Sequence, residues 1–542
     1  MSQVQKKKDN FVAQAGILAM AGIVVRIIGL LYRSPLTSII GDEGNGYYSF
    51  AYNIYTIILL ISSYSIPSAI AKVMAQRIAF GEYRNAHRIF KCAILYVVVV
   101  GGAASLFAYF AAPYLVVENA VPVLRIFAPT IFLSGLLGVL RGYFQAHRTM
   151  VPTSASQVLE QILNACVSIG AAWLLVRNLG DGDKTLKAVR GASGSALGTG
   201  SGVLIALIFM LAIYLRKRKN ILAEVEADES GKEDSYGQLF KVLLLVVTPF
   251  ILSTFIYNLS TSMNQTIYSK ICMRIKHFAQ DEAATMYGIF SGKSVVITNI
   301  PIAFSSAMAA ALIPGISAAF AKGNIDLTKK KVDLAEKVTM MIAIPSSVGL
   351  FVLARPIMQL LFPQKASLDM AAALLRALAI TVVFYSLSTL TNAVLQGIGK
   401  VSVPVYHAAI ALVAQVIVLV VLLIGTNINL YALVFASATY SLLMCVLNAR
   451  AVRKYLDYQE DMKQIFIKPF LAAAFMGLVA WFVFMGCDLL MDSRIALIPT
   501  LAIAIIVYFI FIIKFGAVTE TEMKAVPSGT KLIRAAKKLH LM

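Results

Sequence analysis

Runs of apolar residues, each close to the length needed to cross a bilayer as a helix, recur along this chain from end to end. A hydrocarbon core about 30 Å thick takes about 20 helical residues. The runs lie near 11–32, 47–71, 89–112, 121–144, 152–176, 191–215, 239–269, 284–313, 332–354, 370–395, 401–424, 428–449, 466–487 and 495–515. Of the 542 residues, 59% are hydrophobic and 14% charged, where a soluble domain carries about 25% charged residues. Mean hydropathy is +0.78. Almost no segment alternates with period two, which excludes a membrane β-barrel. The expected fold is an all-α polytopic membrane protein of about 14 transmembrane helices. The first run follows Lys6-Lys7-Lys8, contains Arg26 and lacks a clear small-residue cleavage site, so it reads as a retained span rather than a signal peptide.

The net charge is +21, from 48 Lys and Arg against 27 Asp and Glu. On a soluble chain this would suggest nucleic acid. In a membrane protein it first suggests cytoplasmic loops. With the N-terminus inside, about 32 of the 48 basic residues fall on inner segments. That asymmetry places both termini in the cytoplasm and leaves no reason to expect a nucleic-acid partner. The outer loops after the fifth and seventh spans are more basic than the rule favours.

Catalytic signals are poor. Cys92, Cys166, Cys272, Cys445 and Cys487 are scattered without a CxxC and read as small buried hydrophobes. His87, His147, His277, His407 and His540 show no metal spacing. Asp181-Gly182-Asp183 resembles a nucleotide-sugar motif but falls on an outer loop. The expectation is no catalytic residue, no metal and no cofactor, and a chain that is not an enzyme.

Residues 216–238 run basic and then acidic, with few apolar positions, and are expected to be a mobile cytoplasmic linker. The halves on either side echo one another. Ile66-Pro67 with Gly81 resembles Ile313-Pro314 with Gly323, and Phe144-Gln145-Ala146 with Pro152 resembles Leu395-Gln396-Gly397 with Pro404. The prolines of the first pair are 247 residues apart and the glutamines 251. Nearly equal offsets suggest two pseudo-symmetric six-helix lobes with a substrate path between them. The expected division is an N-lobe 1–215 (spans 1–6), the linker 216–238, a C-lobe 239–450 (spans 7–12), spans 13–14 in 451–515, and a basic tail 516–542.

Five basic residues remain within spans: Arg26, Lys72, Arg125, Lys293 and Arg376. Each would cost roughly 2.5–3.5 kcal/mol at the bilayer centre. Lys72, Arg125 and Arg376 lie near span ends and can snorkel. Arg26 and Lys293 lie deeper, with no obvious acidic partner on their own helices, and suggest a water-filled cationic cavity. Arg33 follows Arg26 by seven residues, on the same helix face. Such a stripe suits an anion, because Arg grips phosphate oxygens bidentately.

Glu160 is the one clear acid within a span. It sits on a polar stripe with Gln157, Gln161, Asn164 and Ser168. A second stripe carries Asn258, Ser262, Gln265 and Ser269, and a third Thr381, Tyr385, Ser388 and Asn392. Interhelical hydrogen bonding accounts for any one stripe; three together favour a wet interior. With Asn53, these place Gln157, Glu160, Gln161, Asn164, Asn258, Gln265 and Asn392 as polar cavity candidates. Pro67, Pro129, Pro249, Pro301 and Pro345 predict kinks. Gly194, Gly198 and Gly202 recur every four residues and predict close helix packing.

Several segments together resemble a known family: RIIGLLYRSPLTSIIGDEGNGYYSFA (26–51), IPSAIAKVMAQRIAFGEYRNAHR (66–88), RGYFQAHRTMVPTSASQVLEQ (141–161), AALIPGIS (310–317) and VLQGIGKVSVP (394–404). The chain resembles the oligosaccharidyl-lipid flippases of the MOP superfamily, and among them the Gram-positive stage V sporulation protein B and MurJ-type lipid II flippase group. The resemblance spans essentially the whole chain. It implies two lobes rocking about a cationic cavity in the plasma membrane, and a groove on spans 13 and 14 for a polyprenyl tail. It implies as cargo an undecaprenyl-diphosphate-linked cell-wall precursor such as lipid II, with cell-wall synthesis enzymes as partners. Capsule, teichoic or spore-related glycans are alternative cargoes, and a MATE-type drug or cation antiporter is an alternative activity. Arg26 matches the basic position of the family's first-span motif, Arg33 the next after a one-residue shift, and Lys293 a basic position in span 8. Two departures stand out. Ser62-Ser63 replaces a basic position of span 2, and Asn258 and Asn264 stand where some relatives carry a sodium-coordinating acid, which leaves membrane potential or another ion to drive transport.

Overall fold

The computed structural model describes residues 20–518 except 23, 64–65, 148, 180–182, 229, 231–232 and 363, and leaves the side chains of 246–257 and 310–314 undescribed. Lys6–Lys8, the tail from 519, and Asp181 and Gly182 of the outer-loop motif lie outside these residues. Among the described residues the chain is helical with no strand. Eleven helical segments are long and apolar enough to cross a membrane, and they coincide with the expected spans 2–6 and 9–14. Spans 1, 7 and 8 fall on helices that run through incompletely described residues.

The chain forms two compact units, residues 1–288 and 289–542. In the first, α1 (Met20–Leu31) leads into α2 (Arg33–Ser62), followed by α3 (Ile66–Ala79) and α4 (Tyr83–Tyr96). A π turn at Val97–Gly101 leads to α5 (Gly102–Phe110) and the short α6 (Ala112–Leu115). Then come α7 (Val121–Ala146), α8 (Val151–Val176), α9 (Lys184–Glu226), α10 (Tyr236–Arg274) and α11 (Gln280–Ile289). The second unit continues with a π turn at Phe290–Ser294, α12 (Val295–Ala321), α13 (Ile325–Val352), α14 (Ala354–Leu361), α15 (Leu368–Gly397), α16 (Ser402–Gly425) and α17 (Leu430–Leu456). A third π turn at Lys463–Ile467 precedes α18 (Lys468–Leu490) and α19 (Ser493–Lys514).

Helix starts follow local chemistry. Asp183, Asn324 and Asp492 accept backbone N–H groups of α9, α13 and α19. Ser235 and Gln238 close a reciprocal capping box on α10. The interior prolines 129 and 345 stay within continuous helices. Pro67 instead opens α3 after a break at Ser63. The kink in α2 comes at Gly41, with φ 70°, which the proline pattern did not foresee.

Packing in the first unit centres on α9, which meets α8, α7 and α2. Its glycine stripe lies against α8: a Cβ on Gly194 would stand 2.5 Å from the Ala172 nitrogen, one on Gly202 2.6 Å from the Glu160 carbonyl, and one on Gly198 would collide with Ser168. Gly46 of α2 likewise meets the Ala284 backbone of α11, and Gly288 that of Asp42. In the second unit α15 packs on α12, α13 and α17, and α18 pairs with α19. The sequence echo reappears in the turns. Gly81 (φ 76°) and Gly323 (φ 70°) both follow a helix end closed by a six-residue bond, Glu82 N–H to Arg77 C=O at 3.0 Å and Asn324 N–H to Ala319 C=O at 3.1 Å. Thr149 to Phe144 (3.0 Å) and Lys400 to Leu395 (2.8 Å) repeat it at the second pair of markers.

The linker departs from expectation. Residues 216–226 continue α9 as helix, and the acidic stretch is clasped to the turn between α3 and α4. Arg84 and Arg88 hold the two oxygens of Glu233 at 3.1 and 2.7 Å, and Arg77 reaches Asp234 at 2.8 Å. Asp228 accepts the Arg84 backbone N–H at 2.7 Å, and Asn85 accepts that of Asp234 at 3.0 Å. Low apolar content predicted mobility; paired charge supplies the order instead. Hydrogen bonds from Arg84 and Arg88 hold the Glu233 carboxyl below its ordinary value, and the Arg84 and Ser230 donors do the same for Asp228. Carboxyls depressed by folding stabilise attachment at neutral pH and lose that contribution as pH falls through their folded-state values.

Two outcomes follow. Gly198→Val should lower the stability of the detergent-solubilised protein by about 1–3 kcal/mol, read as a fall in Tm, while Gly102→Ala, which meets nothing within 4 Å, should leave it unchanged. A spin label on Ala227→Cys should be immobile at neutral pH and gain mobility as pH falls through the carboxylate range or as salt rises. Unchanged spectra would show that charge does not hold the linker.

Candidate functional site

The first-unit candidates are set by α2, α8 and α9. Tyr32 keeps a helical backbone between α1 and α2, with Tyr32 N–H bonded to Ile28 C=O and Leu36 N–H to Tyr32 C=O, both at 3.1 Å. The seven-residue spacing of Arg26 and Arg33 therefore stays on one helical path. Arg26 is exposed and Arg33 half-buried. The Arg33 guanidinium lies 5.4 Å from the Tyr48 ring centre, a cation–π contact. Tyr48 belongs to an aromatic group: it stacks on Tyr52 at 5.6 Å, and Phe127 stacks on Tyr55 at 4.9 Å. Among the described residues, Arg33 meets tyrosines and no carboxylate. The Tyr48 hydroxyl continues at 3.4 Å to Thr199, which donates to Asn164 at 3.5 Å, and Ser168 donates to the same Asn164 oxygen at 3.0 Å. Sequence reasoning missed this aromatic group, although Tyr48, Tyr52 and Tyr55 recur at helical spacing.

Glu160 is not a lone acid. Arg141 belongs to α7 and pairs with Glu160 at 2.7 Å while donating to Ser156 at 2.9 Å. Their side chains are 15% and 30% exposed, shielded enough for the pair to outweigh an open surface bridge. Gln157 and Gln161 are half-buried on α8. Gln161 lies beside α1, its Nε2 3.3 Å from where a Gly29 Cβ would stand. Asn258 is exposed on α10. Two candidates serve as interhelical ties: Asn53 donates to the Tyr287 hydroxyl at 3.3 Å, and buried Gln265 to the Phe50 carbonyl at 3.4 Å. These join α2 to α11 and α10. Lys72, Arg125 and Arg376 are exposed, as snorkelling requires.

Lys293 and Asn392 belong to the second unit. Lys293 sits in the π turn Phe290–Ser294, an insertion that redirects side chains and recurs at functional positions. Only 1% of Lys293 is exposed. Its ammonium donates to Ser367 at 2.7 Å and lies 5.8 Å from the Phe362 ring centre. Asn392 accepts from Gln396 at 3.1 Å, farther along α15. Ser367 abuts the start of that helix, so roughly 35 Å of helix separates the two candidates. Among the described residues, no group of three His, Cys, Asp or Glu is placed to hold a metal. Arg33 rests on a tyrosine ring, and the Lys293 ammonium on the Ser367 hydroxyl and the Phe362 ring, positions from which a cation can meet oxyanion oxygens.

Comparison with known proteins places this geometry in context. A family model described as polysaccharide biosynthesis protein matches residues 11–320, and the MatE model matches 291–421. The lipid II flippase MurJ of Bacillus subtilis (strain 168) is 25% identical over 416 residues, covering 74% of this chain and 75% of its own. Stage V sporulation protein B of the same organism is 23% identical over 541 residues, covering 97% and 99%. A solved structure titled lipid II flippase MurJ, inward closed conformation, superposes with a TM-score of 0.67 at 15% identity, covering 91% of this chain and 97% of that one.

The Arg141–Glu160 pair should show a coupling energy of about 1–3 kcal/mol in a double-mutant cycle of Arg141→Met and Glu160→Gln, measured by thermal unfolding. Each single change should destabilise more than the double change does, because it strands one charge. Strict additivity would remove the pair from the stability of this unit.

Proposed function

The chain belongs to the polysaccharide biosynthesis protein family of the MOP superfamily, and from that premise we propose that it flips an undecaprenyl-diphosphate-linked cell-wall precursor, lipid II, from the inner to the outer leaflet. The observation that carries this reading is Arg33, held on Tyr48 with no carboxylate among its described neighbours. Lys293 adds a second enclosed cation. A diphosphate entering the membrane loses its hydration and needs charged donors in exchange. A cation exporter would place acids there, and Glu160 is already committed to Arg141.

In this reading spans 1–6 and 7–12 act as two lobes that open alternately to each side, with both termini cytoplasmic. The apolar outer faces of α18 and α19, with Phe482, Leu489 and Ile505 exposed, carry the polyprenyl tail. Arg26, Arg33 and Lys293 meet the diphosphate, and Gln157, Gln161 and Asn164 meet polar parts of the headgroup. Membrane potential drives the step. Each negative charge moved outward across an inside-negative membrane releases about 2.3 kcal/mol per 100 mV, and a pyrophosphate diester carries two.

Transport of a fluorescent polyprenyl-diphosphate glycan into the far leaflet of proteoliposomes tests the proposal. Arg33→Ala and Lys293→Ala should each weaken apparent affinity about 10–100-fold, the loss of one charge-assisted contact of roughly 1.5–3 kcal/mol. Arg33→Lys should recover part of it. Wild-type protein that moves no diphosphate-linked glycan, or alanine variants that match wild type, would overturn the reading.

A further inference from the structure

A second ionisable cluster lies in the second unit, at the lysine-rich start of α13. Glu336 is fully enclosed, and Asp333, one turn earlier on the same face, is half-buried. The segment after α17 covers them. Tyr458, 5% exposed, puts its hydroxyl 3.1 Å from Glu336 Oε2 and 3.2 Å from Asp333 Oδ1. Glu336 Oε1 is buried and has no hydrogen-bond partner among the described residues. The surrounding ionisable groups are Lys337 on α13, Cys445 and Arg453 on α17, and Asp457 and Glu460 beyond it; Lys329 stands 3.6 Å from Asp457. Burial pushes the Glu460 carboxyl above its ordinary value despite Arg453.

The hydrogen-bond arithmetic at Tyr458 favours one more proton. A phenol donates once, yet two carboxyl oxygens lie within bonding distance of it. Were both carboxyls ionised, the phenol could serve only one of them, and Glu336 would be an enclosed anion with at most one hydrogen bond and a bare Oε1. A proton on Glu336 Oε2 resolves this. Glu336 then donates to Tyr458, and Tyr458 donates to Asp333, whose partial exposure leaves it hydrated. Glu336 Oε1 becomes an uncharged carbonyl, far less costly to leave unpaired than half of a carboxylate.

We propose that Glu336 is a proton-binding site of this transporter, with Tyr458 and Asp333 relaying its proton to water. In release, the Glu336 Oε2–H bond breaks as its proton passes to the Tyr458 oxygen, and the original phenol proton passes to Asp333 Oδ1. Tyr458 ends neutral, Glu336 ends as an anion, and water then takes the proton from Asp333. An enclosed Glu336 anion is unfavourable until water reaches it, so once the relay has passed the proton on, the 457–462 segment, Tyr458 with it, lifts from α13 and admits water. That segment leads into α18, so proton occupancy governs a movable connection between two parts of the second unit.

The test uses the full chain in lipid nanodiscs and is independent of the cargo. Infrared titration should show a protonated-carboxyl C=O band at neutral pH that is lost in Glu336→Gln and shifts to higher frequency in Tyr458→Phe, where a hydrogen-bond partner is missing. A spin label on Gln459→Cys should gain mobility as pH rises in the otherwise wild-type chain and lose that response in Glu336→Gln, whose amide mimics the protonated acid. Absence of the band at neutral pH, its persistence in Glu336→Gln, or a pH response of the label that survives the substitution would overturn the proposal. Failure of glycan transport would bear on the flippase reading and leave these readouts intact.

Discussion

Hydrocarbon offers no water to a backbone N–H or C=O, and the rest of this structure depends on that constraint. Helices satisfy those groups within a single segment, so an apolar chain of this length becomes an array of helices. The same constraint decides how they associate. Lipid tails are as apolar as leucine, so burying leucine between helices gains little, and close contact must come from small residues and polar ties. The glycine face of α9 on α8, and the approach of Gly46 to Ala284, are the first solution. Gln265 on the Phe50 carbonyl and Asn53 on Tyr287 are the second. Side chains that suggested a wet interior from their spacing turn out to include these ties.

Charge is distributed by a related rule. Arg77, Arg84 and Arg88 stand where water reaches them and gather the acidic end of the linker, ordering a segment that has almost no apolar surface to bury. Arg141 lies deeper and takes Glu160 as a single partner. Arg33 rests on tyrosine, which neutralises a cation less completely than a carboxylate does, and Lys293 donates to serine beside a phenylalanine ring. What separates the three groups is the partner each cation is given.

Spans 2–6 and 9–14 were legible in the sequence because membrane thickness writes itself into run length, and the glycine stripe because its period of four defines a face. The two short markers that echo one another in the sequence correspond to paired helix-ending turns at Gly81 and Gly323 and at Thr149 and Lys400. What remained hidden was whatever depends on residues far apart in the chain or on a local break of helical period. Arg141 and Glu160 are 19 residues apart on different helices, and no single-helix pattern joins them. The π turn under Lys293 leaves no periodic trace. Arg84 and Glu233 are 149 residues apart. Glu336 was concealed by its own neighbourhood: a carboxylate just after Lys329-Lys330-Lys331 reads as a solvated surface charge, and only the Tyr458 cover reveals it as enclosed.

The two kinds of enclosed charge differ in what they can do. A guanidinium does not deprotonate in proteins, so Arg33 keeps its charge whatever the pH, and among the described residues no carboxylate meets it. A carboxyl can shed its charge by taking a proton, and enclosure favours that exchange. The first is a fixed demand suited to recognising an anionic headgroup; the second is a variable charge suited to reporting which side water has reached. Tyrosine therefore has opposite consequences beside Arg33 and beside Glu336. The Tyr48 ring compensates the Arg33 charge only in part, while the single proton of Tyr458 makes the acid hold one of its own.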